Sequence, residues 1–159
     1  VKEELSLGIN TLEKNEDKNT EDHALLALMQ SLLIRYSKGI EAADMAMKIT
    51  ENINRSLLLD SLNIRAWYVK GMIDFYTPKQ YGGGKNVEEA FLKAISLEPQ
   101  QVAGSYLPSW GKDLSYEMII RYYLSVNEEE KARQMYHEAI QYFPDSSAFR
   151  QYEKTFLND

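Results

Sequence analysis

Cysteine is absent from this 159-residue chain, which rules out a disulfide framework and a thiolate nucleophile or ligand. Histidine is scarce: His23 and His137 stand far apart, without a carboxylate or cysteine at ligand spacing, so no metal site is expected. A basic excess is also lacking. The formal charge is −6, and the Lys and Arg residues are interspersed with acids, whereas a nucleic-acid surface needs a concentrated basic stripe. No apolar run approaches the ~20 residues needed to cross a bilayer, so no transmembrane segment is expected. No serine or threonine has a nearby partner that would make it a nucleophile, and no catalytic constellation or cofactor motif emerges.

Composition is that of a folded chain, 44% hydrophobic and 26% charged, enough to fill one core and suggesting one domain over residues 1–159. The chain begins at Val1, which leads us to expect that a preceding segment was removed by processing or by design; a lost signal peptide or lipid anchor is one explanation.

Apolar spacing predicts an all-α fold of about seven helices. Leu5, Ile9 and Leu12 mark a helix over 2–14, and Asn19 or Thr20 is placed to cap the next, with Glu21 and Asp22 favouring its dipole. That helix carries Leu25, Leu28, Met29 and Leu32, and runs to about Ser37. A long helix follows over roughly 40–58, with Ile40, Ala43, Met47, Ile53 and Leu57. The next spans 65–76 and ends before Pro78. Asn86 with Glu89 is a capping-box variant that starts the helix bearing Phe91 and Ala94. In the last hairpin, with Asn127 in its turn, Tyr116, Ile119, Ile120 and Tyr123 fall on one helical stripe. Ala132 and Ala139 share a stripe on the partner helix; small residues there let two backbones approach, and Tyr136 fills the space between them. Three acids, Glu128 to Glu130, suit that helix's N-terminus. Pro144 ends the hairpin, and Phe149, Tyr152 and Phe156 predict a terminal helix over 147–157 that covers the open end.

An earlier copy of the same intervals holds Trp67, Gly71, Val87, Phe91, Ala94 and Pro99. From Gly71 to Pro99 there are 28 positions against 24 from Ile120 to Pro144, so four extra residues enter the turn. They lie within Thr77-Pro78-Lys79-Gln80-Tyr81-Gly82-Gly83-Gly84-Lys85. The triplet with its lysine invites comparison with a phosphate loop, but Lys79 and Asn86 occupy the places where such a loop needs Gly and Ser or Thr, and the preceding segment reads as helix. An inter-helix loop with positive φ angles is expected instead.

These intervals resemble tetratricopeptide repeats from about residue 60 to residue 144, with a degenerate copy before them. The resemblance implies a right-handed superhelical stack of antiparallel hairpins, an α-solenoid with hairpins near 20–60, 64–99 and 109–144. The Pro-x-x-aromatic-Gly-Gly turn at Pro78–Gly83 and the Pro-x-Trp-Gly start at Pro108–Gly111 are similar to a subgroup of bacterial envelope repeat proteins. That subgroup includes periplasmic and lipid-anchored proteins, many from Bacteroidetes, and is reminiscent of the T component of TRAP-type solute transporters. An envelope location is therefore expected ahead of a cytoplasmic one.

Such a stack usually presents a binding surface for a protein or peptide partner. With Trp67 and Tyr116 as the fourth repeat position, the groove-facing places fall on Arg65, Tyr68, Met72, Phe75 and Tyr76, and on Leu114, Glu117, Arg121, Leu124 and Ser125. Repeat proteins that grip acidic chaperone tails resemble one another in carrying Lys and Asn at the fifth and ninth places. Here Tyr68 with Met72, and Glu117 with Arg121, stand there, so an aromatic groove for an apolar anchor is expected rather than a carboxylate clamp. The alternative is a small-ligand transport accessory whose pocket, under the glycine loop, is lined by Tyr76, Tyr81, Tyr106 and Trp110. Homo-oligomerisation through the terminal aromatics is a further expectation.

Overall fold

In the computed structural model, which describes residues 1–98 and 109–156, the chain is all-helical; no strand occurs among the described residues. Eight α-helices are present there: α1 (Lys2–Glu13), α2 (Thr20–Leu33), α3 (Gly39–Leu59), α4 (Ile64–Tyr76), α5 (Val87–Ser96), α6 (Lys112–Ser125), α7 (Glu129–Tyr142) and α8 (Glu153–Phe156). The helix expected over 147–157 is instead a 3₁₀ run, Ser147–Tyr152, followed by the single α-turn of α8. The aromatic steps explain the change. Phe149 and Tyr152 are three apart, the 3₁₀ repeat, and Phe156 lies four further on, the α spacing, so all three are buried. They are packed into the chain's own core, not left for a neighbour.

Helices adjacent in sequence pack as pairs: α2 with α3, α4 with α5, α6 with α7. The pairs are joined by contacts of α5 with α6, and alternate helices also meet, α2 with α4 and α4 with α6. Helix α1 lies against α2. The core is built from the stripes read in the sequence. Tyr116, Ile119, Ile120 and Tyr123 of α6 are buried, as are Ala132, Tyr136 and Ala139 of α7. At Gly71 of α4 the α4–α5 pair packs tightly: a Cβ there would sit 2.8 Å from the Phe91 ring. Burying a Phe side chain stabilises by about 1.5–3 kcal/mol, so the glycine admits a core aromatic that an alanine would push aside.

Local signals fix the helix ends with two departures. Asn19 caps α2 through a full capping box with Asp22, its Oδ1 accepting from the amides of Glu21 and Asp22 at 2.8 and 3.0 Å. Asn127 turns between α6 and α7 with φ of 61°. The capping box expected at Asn86 does not form. Its backbone amide donates to Asp74 Oδ2 at 2.6 Å, because the glycine loop folds back onto the end of α4, and its side chain makes no cap bond. The apolar register of α2 and α3 also differs: Ala24, Leu26, Ala27 and Gln30 are the buried residues of α2, and Ile49, Ile53 and Ser56 those of α3. Leu25, Ile40, Ala43 and Met47 face solvent. Both helices carry apolar residues around much of their circumference, so their periodicity admits more than one inward face.

The glycine loop is a closed structure. Gly82 and Gly84 have φ of 90° and 83°, and Gly83 is buried. The amide of Gly83 donates to Pro78 O at 3.3 Å and that of Gly84 to Asp74 O at 3.0 Å. A Cβ on Gly83 would fall 1.9 Å from the Thr77 carbonyl oxygen, so the middle glycine is required by close backbone approach and its neighbours by their φ angles. Pro99, Tyr106 and Pro108, singled out in the sequence, lie outside the described residues, as does residue 157 at the end of the expected terminal helix.

Candidate groove between the fourth and sixth helices

Helices α4 and α6 bring together side chains more than forty positions apart in sequence. Tyr68 packs edge-on against Trp110, ring centroids 5.9 Å apart, and lies 6.2 Å from Phe91. Its hydroxyl is pushed up to about 12, first by burial and then by the nearby charges of Glu117, Tyr76 and Asp113, with Arg121 opposing. Those neighbours place Tyr68 and Tyr76 of α4 beside Asp113, Glu117 and Arg121 of α6. Phe75 contacts Tyr76 at 5.0 Å and Tyr122 at 6.5 Å, extending the aromatic surface across both helices.

Polar groups complete this region. Glu117 Oε1 lies 2.8 Å from Arg121 Nη2, an i,i+4 pair on the exposed side of α6. The Tyr152 hydroxyl lies near Arg121 and, with Glu117, raises the affinity of the guanidinium for its proton. Gln151 Nε2 donates to Glu117 Oε1 at 3.4 Å. The C-terminal 3₁₀ run thus continues the surface begun by α4 and α6. Tyr122, Asp113, Gln151 and Tyr152 belong to it although the repeat register did not select them. The pairing of Tyr152 with a residue of α6 carries no local sequence signal.

The expected groove residues divide into three groups. Tyr76 is 62% exposed, Arg121 and Ser125 are exposed, and Phe75 and Glu117 are half-buried, so these form the accessible part. Tyr68 and Met72 are buried and form its floor, while Leu114 and Leu124 are half-buried against the core. Arg65 is 4% exposed and turned away from any partner: Nε donates to Glu21 Oε2 at 2.7 Å, Nη2 pairs with Glu21 Oε1, and Nη1 reaches Trp110 O at 3.5 Å. It joins α2, α4 and the entry to α6.

The aromatic set expected under the glycine loop is dispersed. Tyr81 is 76% exposed and lines a depression with Thr50, Asn54, Lys70 and Asp74, to which neither Tyr76 nor Trp110 contributes. Trp110 packs edge-on against Tyr68, and Tyr106 lies outside the described residues. A separate polar cleft between α2 and α3 contains His23, whose Nδ1 donates to Asn52 Oδ1 at 2.8 Å, and Asn52 Nδ2 in turn donates to Gln30 Oε1 at 3.1 Å. These groups satisfy one another. No group of three His, Cys, Asp or Glu side chains suited to a metal ion occurs among the described residues, and no helix there is long and apolar enough to cross a membrane.

No protein-family model matches the chain, nor does any curated protein or solved structure.

Proposed function

We propose that this chain is a non-enzymatic protein-interaction scaffold, a tetratricopeptide-type α-solenoid that holds a partner polypeptide in the groove between α4 and α6, in a bacterial envelope or solute-uptake assembly. The packing of α4 on α6, with Phe75 6.5 Å from Tyr122 and Tyr68 within electrostatic reach of Glu117 and Arg121, carries the proposal. A buried aromatic floor with an exposed tyrosine and a flanking ion pair suits an apolar or aromatic anchor with polar groups beside it. The pairing of successive helices and the contacts between alternate ones support the stacked arrangement. The small-ligand alternative has less support, because of its three described aromatic residues, Tyr76, Tyr81 and Trp110, only Tyr81 lines the depression beside the glycine loop.

Affinity capture with wild-type protein and a Tyr76→Ala/Arg121→Glu variant tests the proposal. Both positions are accessible enough for the variant to stay folded. A polypeptide that binds wild type in purified form and binds the variant at least about tenfold more weakly supports the groove. Equal binding by both proteins would remove it.

A further inference from the structure

Helix α3 is the longest in the chain at 21 residues, yet only Ile49, Ile53 and Ser56 are buried. Its opposite side carries three large apolar residues in the open: Ile40 is 81% exposed, Met47 64% and Leu58 86%. At 3.6 residues per turn, Ile40, Asp44, Met47, Lys48, Glu51, Arg55 and Leu58 share an arc of about 100°. The three apolar residues stand singly between charged residues, roughly 10 and 16 Å apart along the axis.

The order of charges along this arc is self-complementary under reversal. Read forward, it runs apolar, acid, base, acid, base, apolar, from Ile40 through Asp44, Lys48, Glu51 and Arg55 to Leu58. A second copy laid antiparallel sets Asp44 against Arg55, Lys48 against Glu51, and Ile40 against the Leu58–Leu59 end. Two-fold symmetry repeats each pairing, and Met47 of each copy falls near the centre.

We propose that α3 is a homodimerisation surface on which two copies of this chain pair antiparallel about a two-fold axis. The occupant is a second copy, because one sequence supplies every acid–base match that the pairing uses. In the free chain Arg55 Nε lies 3.5 Å from Glu51 Oε1 on an exposed surface, a contact weak enough to be exchanged for pairs across the axis. A helix of this length is roughly 30 Å long and 10 Å wide, a footprint of about 300 Å² on each copy that lies below the ~1,000 Å² of a stable interface. The dimer is therefore weak and transient, with a dissociation constant on the order of 0.1 mM. The groove is left free, since α3 borders α4 on its Lys70, Ile73 and Asp74 side. The dimer does not depend on the proposed binding function.

Charge exchange followed by sedimentation velocity tests the pairing. Asp44→Lys alone and Arg55→Glu alone each set like charges opposite one another twice per dimer, and each is expected to raise the dissociation constant by about tenfold or more. An equimolar mixture of the two variants restores opposite charges at both sites and should recover a heterodimer. Added salt should weaken the wild-type dimer. Both substituted positions are exposed, and circular dichroism checks that each variant keeps its helix content. A wild-type protein that stays monomeric to about 1 mM, singles that dimerise as wild type does, or a mixture that stays monomeric would each overturn the proposal.

Discussion

Removing the Glu21 carboxylate should destabilise the chain far more than its half-buried position on α2 suggests. Arg65, expected at the groove, is instead a buried guanidinium with a two-point attachment to that carboxylate. Asn63 shares the acid, donating to Glu21 Oε1 at 3.0 Å and to Thr20 Oγ1 at 2.9 Å while its own Oδ1 caps α4 at the Ala66 amide, 3.0 Å away. Glu21→Ala leaves the Arg65 charge without this partner, which costs about 3–5 kcal/mol. For a chain of this size each kcal/mol moves Tm by about 2–4 °C, so a fall of roughly 6–20 °C is expected. Urea unfolding followed by circular dichroism should show a lower midpoint at unchanged slope. The double variant Glu21→Leu/Arg65→Met removes both charges and should recover most of the loss, since replacing a buried pair with apolar groups of similar volume is close to neutral. A surface role predicts the opposite pattern, each single change within about 0.5 kcal/mol and the two additive. A Glu21→Ala cost below about 1 kcal/mol, or a double variant no better than the sum of its singles, would refute the buried tie.

Three further outcomes follow from the same contacts. Gly83→Ala must move the Thr77 carbonyl and should cost about 1–3 kcal/mol or more, exceeding Gly82→Ala, which meets open space and bears only the strain of its φ of 90°; calorimetric Tm values in the reverse order would contradict the loop geometry. Gly71→Ala presses on the Phe91 ring and should cost about 1–3 kcal/mol, whereas the pair Gly71→Ala/Phe91→Leu should be less destabilised than the two singles summed, as a chemical-denaturation cycle would detect. Tyr68 and Tyr116 are pushed up to about 12 from 10.0, mainly by burial, so the folded state favours their neutral forms. Their contribution to stability is complete below pH 10 and is lost as pH rises through about 12; absorbance titration of tyrosinate should show these groups lagging the exposed tyrosines, and Tyr68→Phe should reduce the alkaline loss of stability.

What the sequence reveals here is set by the range of each interaction. The stripes of α6 and α7 were legible because each side chain's burial depends on neighbours three, four and seven positions away on the same helix. Gly71 and Phe91 were legible as repeat positions, but that a Cβ on the first would meet the ring of the second emerges only from the packing of α4 on α5. The register at Arg65 gave its position but not its orientation, because the acid that claims it lies 44 positions upstream and no local pattern links them. Asn86 showed a cap signature that the folded chain does not use, since Asp74 takes its amide from outside the helix. In α3 the apolar residues occupy two faces, and spacing alone did not tell which one the core takes.

That ambiguity in α3 has a physical consequence for the proposed scaffold. A helix whose only requirement was to complete the core would be satisfied by Ile49, Ile53 and the half-buried residues beside them, and its other face would favour charge alone. Ile40, Met47 and Leu58 stand singly on that face, and the charges between them, matched in the antiparallel sense, favour one closed pair over open-ended association. The groove of α4 and α6 lies on a different side of α4 from the one α3 borders, so a pair formed through α3 keeps two grooves open. Two linked grooves bind a partner with repeated anchors more tightly than either does alone, through effective concentration rather than any added contact. In the proposed scaffold the exposed face of α3 sets valence and the aromatic surface of α4 supplies recognition.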